Sequence, residues 1–343
     1  MRKRWMTLTA VAAMTAVLTL VAGLVRGGGA AAAPRAGFTA CLVTDIGGLN
    51  DKGFNHLAYV GLQKAEKAGV KGIVEQSNSP QDYIPNLKAC VQKGAGITIA
   101  VGFLMQDAID AIATAFPKNK FAIVDVDITG LKHHPKNVQG LLFKEQEAGY
   151  LVGYAAGMWI KQHPHDGQQT ISSVGGIKIP PVDRYIAGYQ YGAKKADPKI
   201  KLLNGYSQDF VKQAKCKEQA LNQIANGSGV VFQVAGQCGL GALDAAHSKG
   251  LFGIGVDADQ GYLGPWVMTS ALKRVDVAVD DAIVAAKAGK LKTPLNAVFG
   301  ADKNGVGYGK WSPRVPQSIR KAVAHQFALL KAGKIKGIPA TVK

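Results

Sequence analysis

The stretch from Phe38 to Ala65 constrains the fold more than any other part of this chain. Phe38 to Val43 is a short apolar run that reads as a buried strand, and Leu57, Val60, Leu62 and Ala65 then repeat at helical spacing. Between them lies Val43-Thr44-Asp45-Ile46-Gly47-Gly48-Leu49-Asn50-Asp51-Lys52-Gly53-Phe54-Asn55. Strand, loop and helix in that order open a parallel α/β sheet, and Gly47 with Gly48 lets the backbone turn sharply at the strand's carboxyl end. Ligands of open α/β sheets bind beyond those ends. Asp45, Asn50, Asp51 and Asn55 stand there with Phe54, a set suited to a neutral polar ligand with a flat ring. No Gly-x-x-x-x-Gly-Lys-Ser/Thr follows, and the carboxylates would repel a phosphate. A plainer role fits as well: Asn50 or Asp51 caps the helix and Phe54 staples its first turn. This stretch alone leaves both open.

The pattern repeats along the chain. Strands are predicted at 73–75, 97–101, 121–126 and 139–143, with helices from Pro80 and over 106–116 between them. A second series follows, with strands at 171–174, 201–205, 230–234, 251–256 and 267–272 and helices at 145–160, 183–196, 216–224, 240–247 and 275–288. Two successive α/β units of similar size imply a cleft between two lobes. Gly300 to Gly309 reads as a glycine-rich loop and Pro316 to Leu330 as a closing amphipathic helix.

The first 33 residues differ from the rest. Arg2, Lys3 and Arg4 precede an uncharged apolar run from Trp5 to Val25, and Ala30 to Ala33 offers the small residues of a signal-peptidase site. This reads as an export signal, with an uncleaved anchor as the alternative because the run is near the length of a membrane span. A lipid anchor on Cys41 is disfavoured, since that cysteine lies past the apolar run and opens the first strand. Export makes an even count of four cysteines a disulfide framework. Cys41 starts a strand and Cys90 lies late on a helix leading into the next one, so both sit at the strands' amino end and their pairing is favoured. Cys216 and Cys238 remain; four free thiols are the alternative. The formal charge is +18, of which Arg2, Lys3, Arg4 and Arg26 carry four. The lysines are scattered rather than gathered with aromatics, which argues against nucleic acid and for a solvated surface, attraction to an anionic envelope being the weaker reading.

Four stretches read together: 43–55, Phe143-Lys144-Glu145-Gln146-Glu147, Gly255-Val256-Asp257-Ala258-Asp259-Gln260, and Thr269 to Asp276. In that order and spacing they resemble the basic membrane protein family, the PnrA-like nucleoside-binding components of ABC importers, from about residue 38 to about 309. The resemblance implies a two-lobed type I periplasmic-binding fold, each lobe a parallel sheet flanked by helices, with hinge crossovers between them. It places 38–140 with 270–294 in one lobe and 141–269 with 295–343 in the other. It also implies a nucleoside ligand, purine ribonucleosides foremost, delivered to permease and ATPase subunits at the extracellular face of the membrane or in the periplasm by a monomer with no cofactor and no metal. Phe54 and Phe210 match the family's base sandwich, Asp257 its ribose-binding carboxylate, and Lys273 the lysine that joins it at the sugar. Asp45, Asn50 and Asp107 match polar positions around the base, and Gly236 a glycine that lets backbone meet the ligand. Two motifs depart from the family: Asp-Lys-Ser-Phe-Asn-Gln is here Asp51-Lys52-Gly53-Phe54-Asn55-His56, and Gly-Gly-Thr-Gly is Gly236-Gln237-Cys238-Gly239. The second puts a cysteine beside the cleft, where it bears on specificity.

Other classes find less support. Asp45 and Asp257 could serve a secreted nucleoside hydrolase, but no clustered aspartates of calcium-binding type accompany them. His133-His134 and His163-Pro164-His165-Asp166 lie in proline-containing turns without a third ligand at zinc spacing. A ligand-sensing protein of the same fold is the remaining alternative.

Overall fold

A computed structural model describes residues 37–342; the leader read in residues 1–33 lies outside them. The first sheet is built from β1 (Thr39–Val43), β2 (Lys71–Glu75), β3 (Ile97–Val101), β4 (Phe121–Val124) and β5 (Val138–Phe143), linked by α1 (Phe54–Lys67), α2 (Tyr83–Gln92) and α3 (Gln106–Ala115). Helix α4 (Glu145–Gln162) carries the chain into the second sheet, which contains β6 (Thr170–Gly175), β7 (Lys201–Tyr206), β8 (Ser228–Val234), β9 (Phe252–Asp257) and β10 (Val267–Lys273). Its helices are α5 (Pro180–Ala196), α6 (Gln213–Ala225) and α7 (Gly239–Ser248). The chain then returns through α8 (Val275–Lys287) to β11 (Leu295–Phe299), crosses again to β12 (Val306–Tyr308), and ends in α9 (Gln317–Lys331).

The strand orders are β11-β5-β4-β3-β1-β2 and β12-β10-β9-β8-β6-β7. Every pairing is parallel except β10 with β12. In parallel sheets buried on both faces the strands read as continuous apolar runs, and β3 and β4 are buried at every position. Each sheet lies between helical layers, α2 and α3 covering one side of the first sheet and α6 and α7 one side of the second.

Two expectations change. Residues 295–299, assigned by resemblance to the second lobe, pair in parallel register with β5 at the edge of the first sheet. Phe299 stacks on Phe143 with ring centroids 5.2 Å apart, and Asn296 bonds to Asp127 and to the Ile128 amide, so side chains as well as backbone hold the strand there. Within the presumed loop 300–309, residues 306–308 form the antiparallel edge strand β12. The crossings accordingly fall after Phe143, Lys273 and Phe299.

Helices α4 and α5 pack backbone to backbone. Gly149 and Gly153 face the carbonyls of Tyr185 and Tyr189, while Gly188 and Gly192 face those of Gln146 and Tyr150; a β-carbon at any of the four would collide with the carbonyl opposite. The four-residue spacing keeps these glycines on one stripe of each helix, and contact this close admits no larger residue. Two disulfides complete the frame, Cys41 with Cys90 and Cys216 with Cys238, their Cα atoms 5.7 and 5.6 Å apart. Cys41 is fully buried in β1.

Candidate functional site

The carboxyl ends of both sheets converge on one cavity, partly open to solvent. From the first sheet come the β1–α1 loop, the turn after β3 and the residue after β4; from the second come the loops after β6, β7, β8 and β9.

In the β1–α1 loop, Asp45 accepts hydrogen bonds at Oδ1 from the Gly47 amide (3.0 Å) and Asn55 Nδ2 (2.8 Å). Asp51 accepts from the amides of Gly53 (3.0 Å), Asn55 (2.7 Å) and His56 (3.1 Å), and from Asn55 Nδ2. Asp51 therefore caps α1, as the plainer reading had it, and Asn55 locks that cap to Asp45. The second oxygen of Asp45 turns toward Gly102, whose φ of +114° carries the β3 turn beneath it. Phe54, the first residue of α1, extends its ring into the cavity.

Asp125 and Asp257 occupy matching positions in the two lobes. Val124-Asp125-Val126-Asp127 and Val256-Asp257-Ala258-Asp259 carry the same pattern, and in each the first aspartate has a left-handed backbone, φ +72° and +60°. In each the second aspartate accepts from the amide two residues on, Thr129 and Gly261, and so caps a short 3₁₀ turn. Aspartate tolerates this backbone better than most residues with a β-carbon, and the kink turns the strand's last carboxylate into the cleft.

Lys273, at the end of β10, is fully buried. Its Nζ lies 2.6 Å from Asp125 Oδ1 and 3.0 Å from Glu145 Oε1, and about 5.0 Å from the ring centroids of Phe54 and Phe143. Arg184 pairs with the other Glu145 oxygen at 2.6 Å. Tyr185 donates to Asp257 Oδ1 at 3.0 Å.

Burial dominates the electrostatics. It raises the Asp257 carboxyl to about 7, with Lys273 pulling the other way, and the Asp45 carboxyl to about 6 against the hydrogen bonds from Asn55 and Gly47. Asp125 and Asp51 are raised by the same cause. Burial opposes the charge of Lys273, but Asp125, Glu145 and Asp257 outweigh it and hold its pKa up. Four carboxyls face a single lysine in this lining.

Of the residues singled out in the sequence, Asp45, Phe54, Phe210, Gly236, Asp257 and Lys273 meet in this cavity. Asn50 and Asp107 do not. Asn50 is exposed on an outer rim opposite Val211 and Gln237, and Asp107 is exposed on α3, because the 3₁₀ turn Phe103–Met105 precedes that helix and presents Phe103 to the cavity instead. The lining also holds Asp125, Tyr185 and Phe103, which sequence reasoning missed. The Val-Asp-x-Asp pattern shared with Asp257 is the signal that would have found Asp125.

Among the described residues no group of three His, Cys, Asp or Glu side chains is arranged to hold a metal ion. His133 pairs with Asp110, Nδ1 to Oδ2 2.7 Å, and His163 stacks on Trp159.

Residues 38–337 match the family model for PnrA-like ABC transporter substrate-binding proteins, Bmp. The chain is 33% identical over 319 residues to the ABC transporter nucleoside-binding protein BmpA of Lactococcus lactis subsp. cremoris, covering 86% of this chain and 88% of that one. It is 33% identical over 322 residues to the CD4+ T-cell-stimulating antigen of Listeria monocytogenes, covering 87% of each. Among solved structures, an ABC transporter solute-binding protein from Aeropyrum pernix superposes with a TM-score of 0.77 at 25% identity, over 88% of this chain and 94% of that one.

Proposed function

The chain belongs to the Bmp family of PnrA-like ABC transporter substrate-binding proteins, and from that premise we propose that it captures a nucleoside, purine ribonucleosides foremost, for import. The observation that carries this reading is that Phe54 from the first lobe and Phe210 from the second line one cavity otherwise ringed with carboxyls. A purine held between the two rings gains on the order of 1 kcal/mol from each, beyond the area buried. The ionised Asp257 carboxylate accepts from the vicinal hydroxyls of a ribose, with Tyr185 fixing its orientation through Oδ1. Asp45, braced by Asn55, faces the base edge, where a carboxylate accepts from ring N–H groups. Four carboxyls against one lysine disfavour a phosphate, so the ligand is the nucleoside and not the nucleotide.

Ligand contacts on both lobes favour the closed arrangement over the open one, and that difference is what a permease with its ATPase subunits would read. The apolar leader in the sequence and the two disulfides support work outside the cytoplasm, where disulfides persist.

The test is calorimetric titration of ligand-stripped protein with guanosine, inosine, adenosine, cytidine, uridine, ribose and guanosine monophosphate, followed by analysis for free base. The expected result is one-to-one binding of purine nucleosides, weaker binding of pyrimidine nucleosides, and at least about tenfold weaker binding of the monophosphate, the equivalent of about 1.4 kcal/mol. Asp257→Ala abolishes ribonucleoside binding and leaves the fold intact. Release of free base would make the protein a hydrolase, and no binding of any nucleoside would overturn the reading.

A further inference from the structure

Part of the positive charge of this chain lines one edge of the first sheet. Because β1 to β5 and β11 are all parallel, their amino ends lie along one edge of the first sheet, on the side away from the cavity. Six strands about 4.8 Å apart make that edge roughly 24 Å long. The segments that reach it are 67–71, 93–96, 116–120, 135–137 and 287–294, and none of them contains Asp or Glu.

Lys67 and Lys71 bracket the approach to β2, and Lys118 and Lys120 the approach to β4. Lys136 precedes β5, Lys287 ends α8, and Lys290 and Lys292 lie between α8 and β11. All of these are exposed except Lys120, which is half-buried. Lys287 donates to the Ala68 carbonyl (2.7 Å), which brings the 287–294 segment against the end of α1. Lys93 pairs with Glu75 and is excluded from the count of free charges. Glu66 lies over Gly72 as the nearby counter-charge.

The corresponding edge of the second lobe is basic as well: Lys199, Lys201 and Lys249 lie in its approach segments, Lys161 and Lys194 reach Asp197 and the Pro198 carbonyl there, and Arg314 lies over Phe252, against Asp166 and Asp197. Charge alone therefore does not single out the first lobe; the path of the chain does.

A second, independent observation concerns where the chain enters the fold. Gly37 and Phe38 arrive at this same basic edge: the Phe38 carbonyl accepts from the Lys71 amide (2.9 Å) and Phe38 lies against Gly96. In the sequence, only eleven residues separate the end of the uncharged apolar run Trp5 to Val25 from Gly37, a connection that spans at most about 40 Å when fully extended.

We propose that this lysine-lined edge of the first lobe is a docking surface for a bilayer containing anionic phospholipid. Charge complementarity selects the headgroups, each lysine near an anionic surface adds to the attraction, and salt weakens it. Docking there leaves the cavity facing the medium, the orientation for capture, and delivery to a permease in the same membrane then requires release from that surface. The second lobe is then the one that moves when the cleft closes.

The test mixes the full chain with vesicles of phosphatidylcholine alone, or of phosphatidylcholine with one-third phosphatidylglycerol, at low and high salt. The apolar run contributes to both lipids alike, but Arg2, Lys3, Arg4 and Arg26 beside it also favour the anionic one, so the reading is the part of the difference that the charge reversals remove. The expected result is at least about tenfold tighter partition onto the anionic vesicles at low salt, lost at high salt. Charge reversal at K118E, K120E, K290E and K292E removes the gain, whereas K199E, K201E and K249E in the second lobe leave it. On the unaltered chain, amine labelling with mass spectrometry gives a readout that does not depend on any variant folding. Lys118, Lys120, Lys290 and Lys292 are shielded on anionic vesicles and not on neutral ones, while Lys199 and Lys249 stay reactive. Equal partition onto both lipids, or shielding of the second-lobe lysines instead, overturns the proposal. So does binding to a soluble polyanion such as heparin without any gain on the anionic vesicles.

Discussion

Lys273 of the second sheet and Asp125 of the first meet across the cleft, Nζ lying 2.6 Å from Oδ1 and 2.7 Å from Oδ2, with both residues buried. The sequence resemblance placed Lys273 at a sugar beside Asp257; its closest partners are instead Asp125 and Glu145, one at the end of β4 and the other at the start of the crossing helix α4. Lys273 is thus a charged pin between the lobes as well as part of the cavity lining.

Removing that pin leaves Asp125 buried without its cation and Glu145 with Arg184 alone. Lys273→Met is expected to destabilise the protein by about 3–5 kcal/mol, the usual result of breaking a buried pair from one side. Denaturant unfolding measures it. Adding Asp125→Asn to the same chain recovers part of the loss, because it removes one of the uncompensated charges; no recovery would mean that packing of the lysine stem, not charge, sets the effect.

The raised carboxyls give stability and affinity opposite pH trends. Asp257 at about 7 and Asp45 at about 6 both lie above their unfolded value of 3.8. A group raised in this way contributes stability that is complete below its unfolded pKa and is lost as pH rises through the folded one. The ligand-free protein should therefore melt higher at about pH 5 than at about pH 8, with Asp257 alone supplying roughly 3 kcal/mol of the difference. Asp257→Asn flattens the profile. Nucleoside affinity runs the other way if ionised Asp257 accepts the sugar hydroxyls: it falls as pH drops below about 7, and calorimetry in two buffers records proton release on binding. Melting temperatures and affinities that move together with pH would contradict this assignment.

The parallel sheets were legible because β1, β3 and β8 are mainly apolar runs followed by turn glycines, with only Thr39, Thr98, Ser228 and Gln233 polar among them. Strands β11 and β12 were not. Leu295 and Val298 of β11 face solvent at the sheet edge, and β12 has only three residues, so neither leaves a continuous apolar run. In the site, Phe54 and Asp257 were legible from motif and strand end together. Asp107 misled because the rule that a helix start lies at the carboxyl end of a strand is silent about rotation, and the 3₁₀ turn before α3 swings that residue outward. Asp125 was hidden inside an apolar stretch read as all strand, since its left-handed backbone is a tertiary feature with no local signature beyond the Val-Asp-x-Asp echo.

The contact between α4 and α5 makes a prediction about packing alone. Gly153→Ala drives a β-carbon into the Tyr189 carbonyl, and overpacking of this kind typically destabilises by about 1–3 kcal/mol. The helix-propensity gain of alanine over glycine, about 1 kcal/mol, offsets only part of a clash with rigid backbone. A lowered melting temperature for Gly153→Ala is expected, with Gly94→Ala as a comparison: its β-carbon meets nothing, and only the left-handed backbone, φ +73°, opposes it. A Gly153→Ala chain as stable as the parent would mean that the two helices can separate freely.

The two disulfides should prove different in kind. They close 49 and 22 residues of chain, and the chain-entropy model gives each about 3–4 kcal/mol. Cys41–Cys90 joins the middle of β1, not its amino end as the sequence suggested, to the last turn of α2, and neither cysteine lines the cavity, so Cys41→Ser with Cys90→Ser lowers stability and leaves nucleoside affinity near that of the parent. Cys216–Cys238 joins the start of α6 to the start of α7, and the Cys238 amide donates to the Phe210 carbonyl at 3.0 Å. Phe210 is further enclosed by Gly176, where a β-carbon would strike its ring, and by Gly236, whose φ of +53° turns the loop under it. That disulfide therefore holds one wall of the cavity, the proposed base site, in place. Cys216→Ser with Cys238→Ser should weaken nucleoside binding by more than the melting temperature alone accounts for, and should weaken purine nucleosides more than pyrimidine ones, because the larger ring depends more on a fixed stacking partner. Calorimetry well below the melting temperature of each variant separates the two effects. Equal losses for purines and pyrimidines, or for both disulfide variants, would assign Cys216–Cys238 to stability and not to the site.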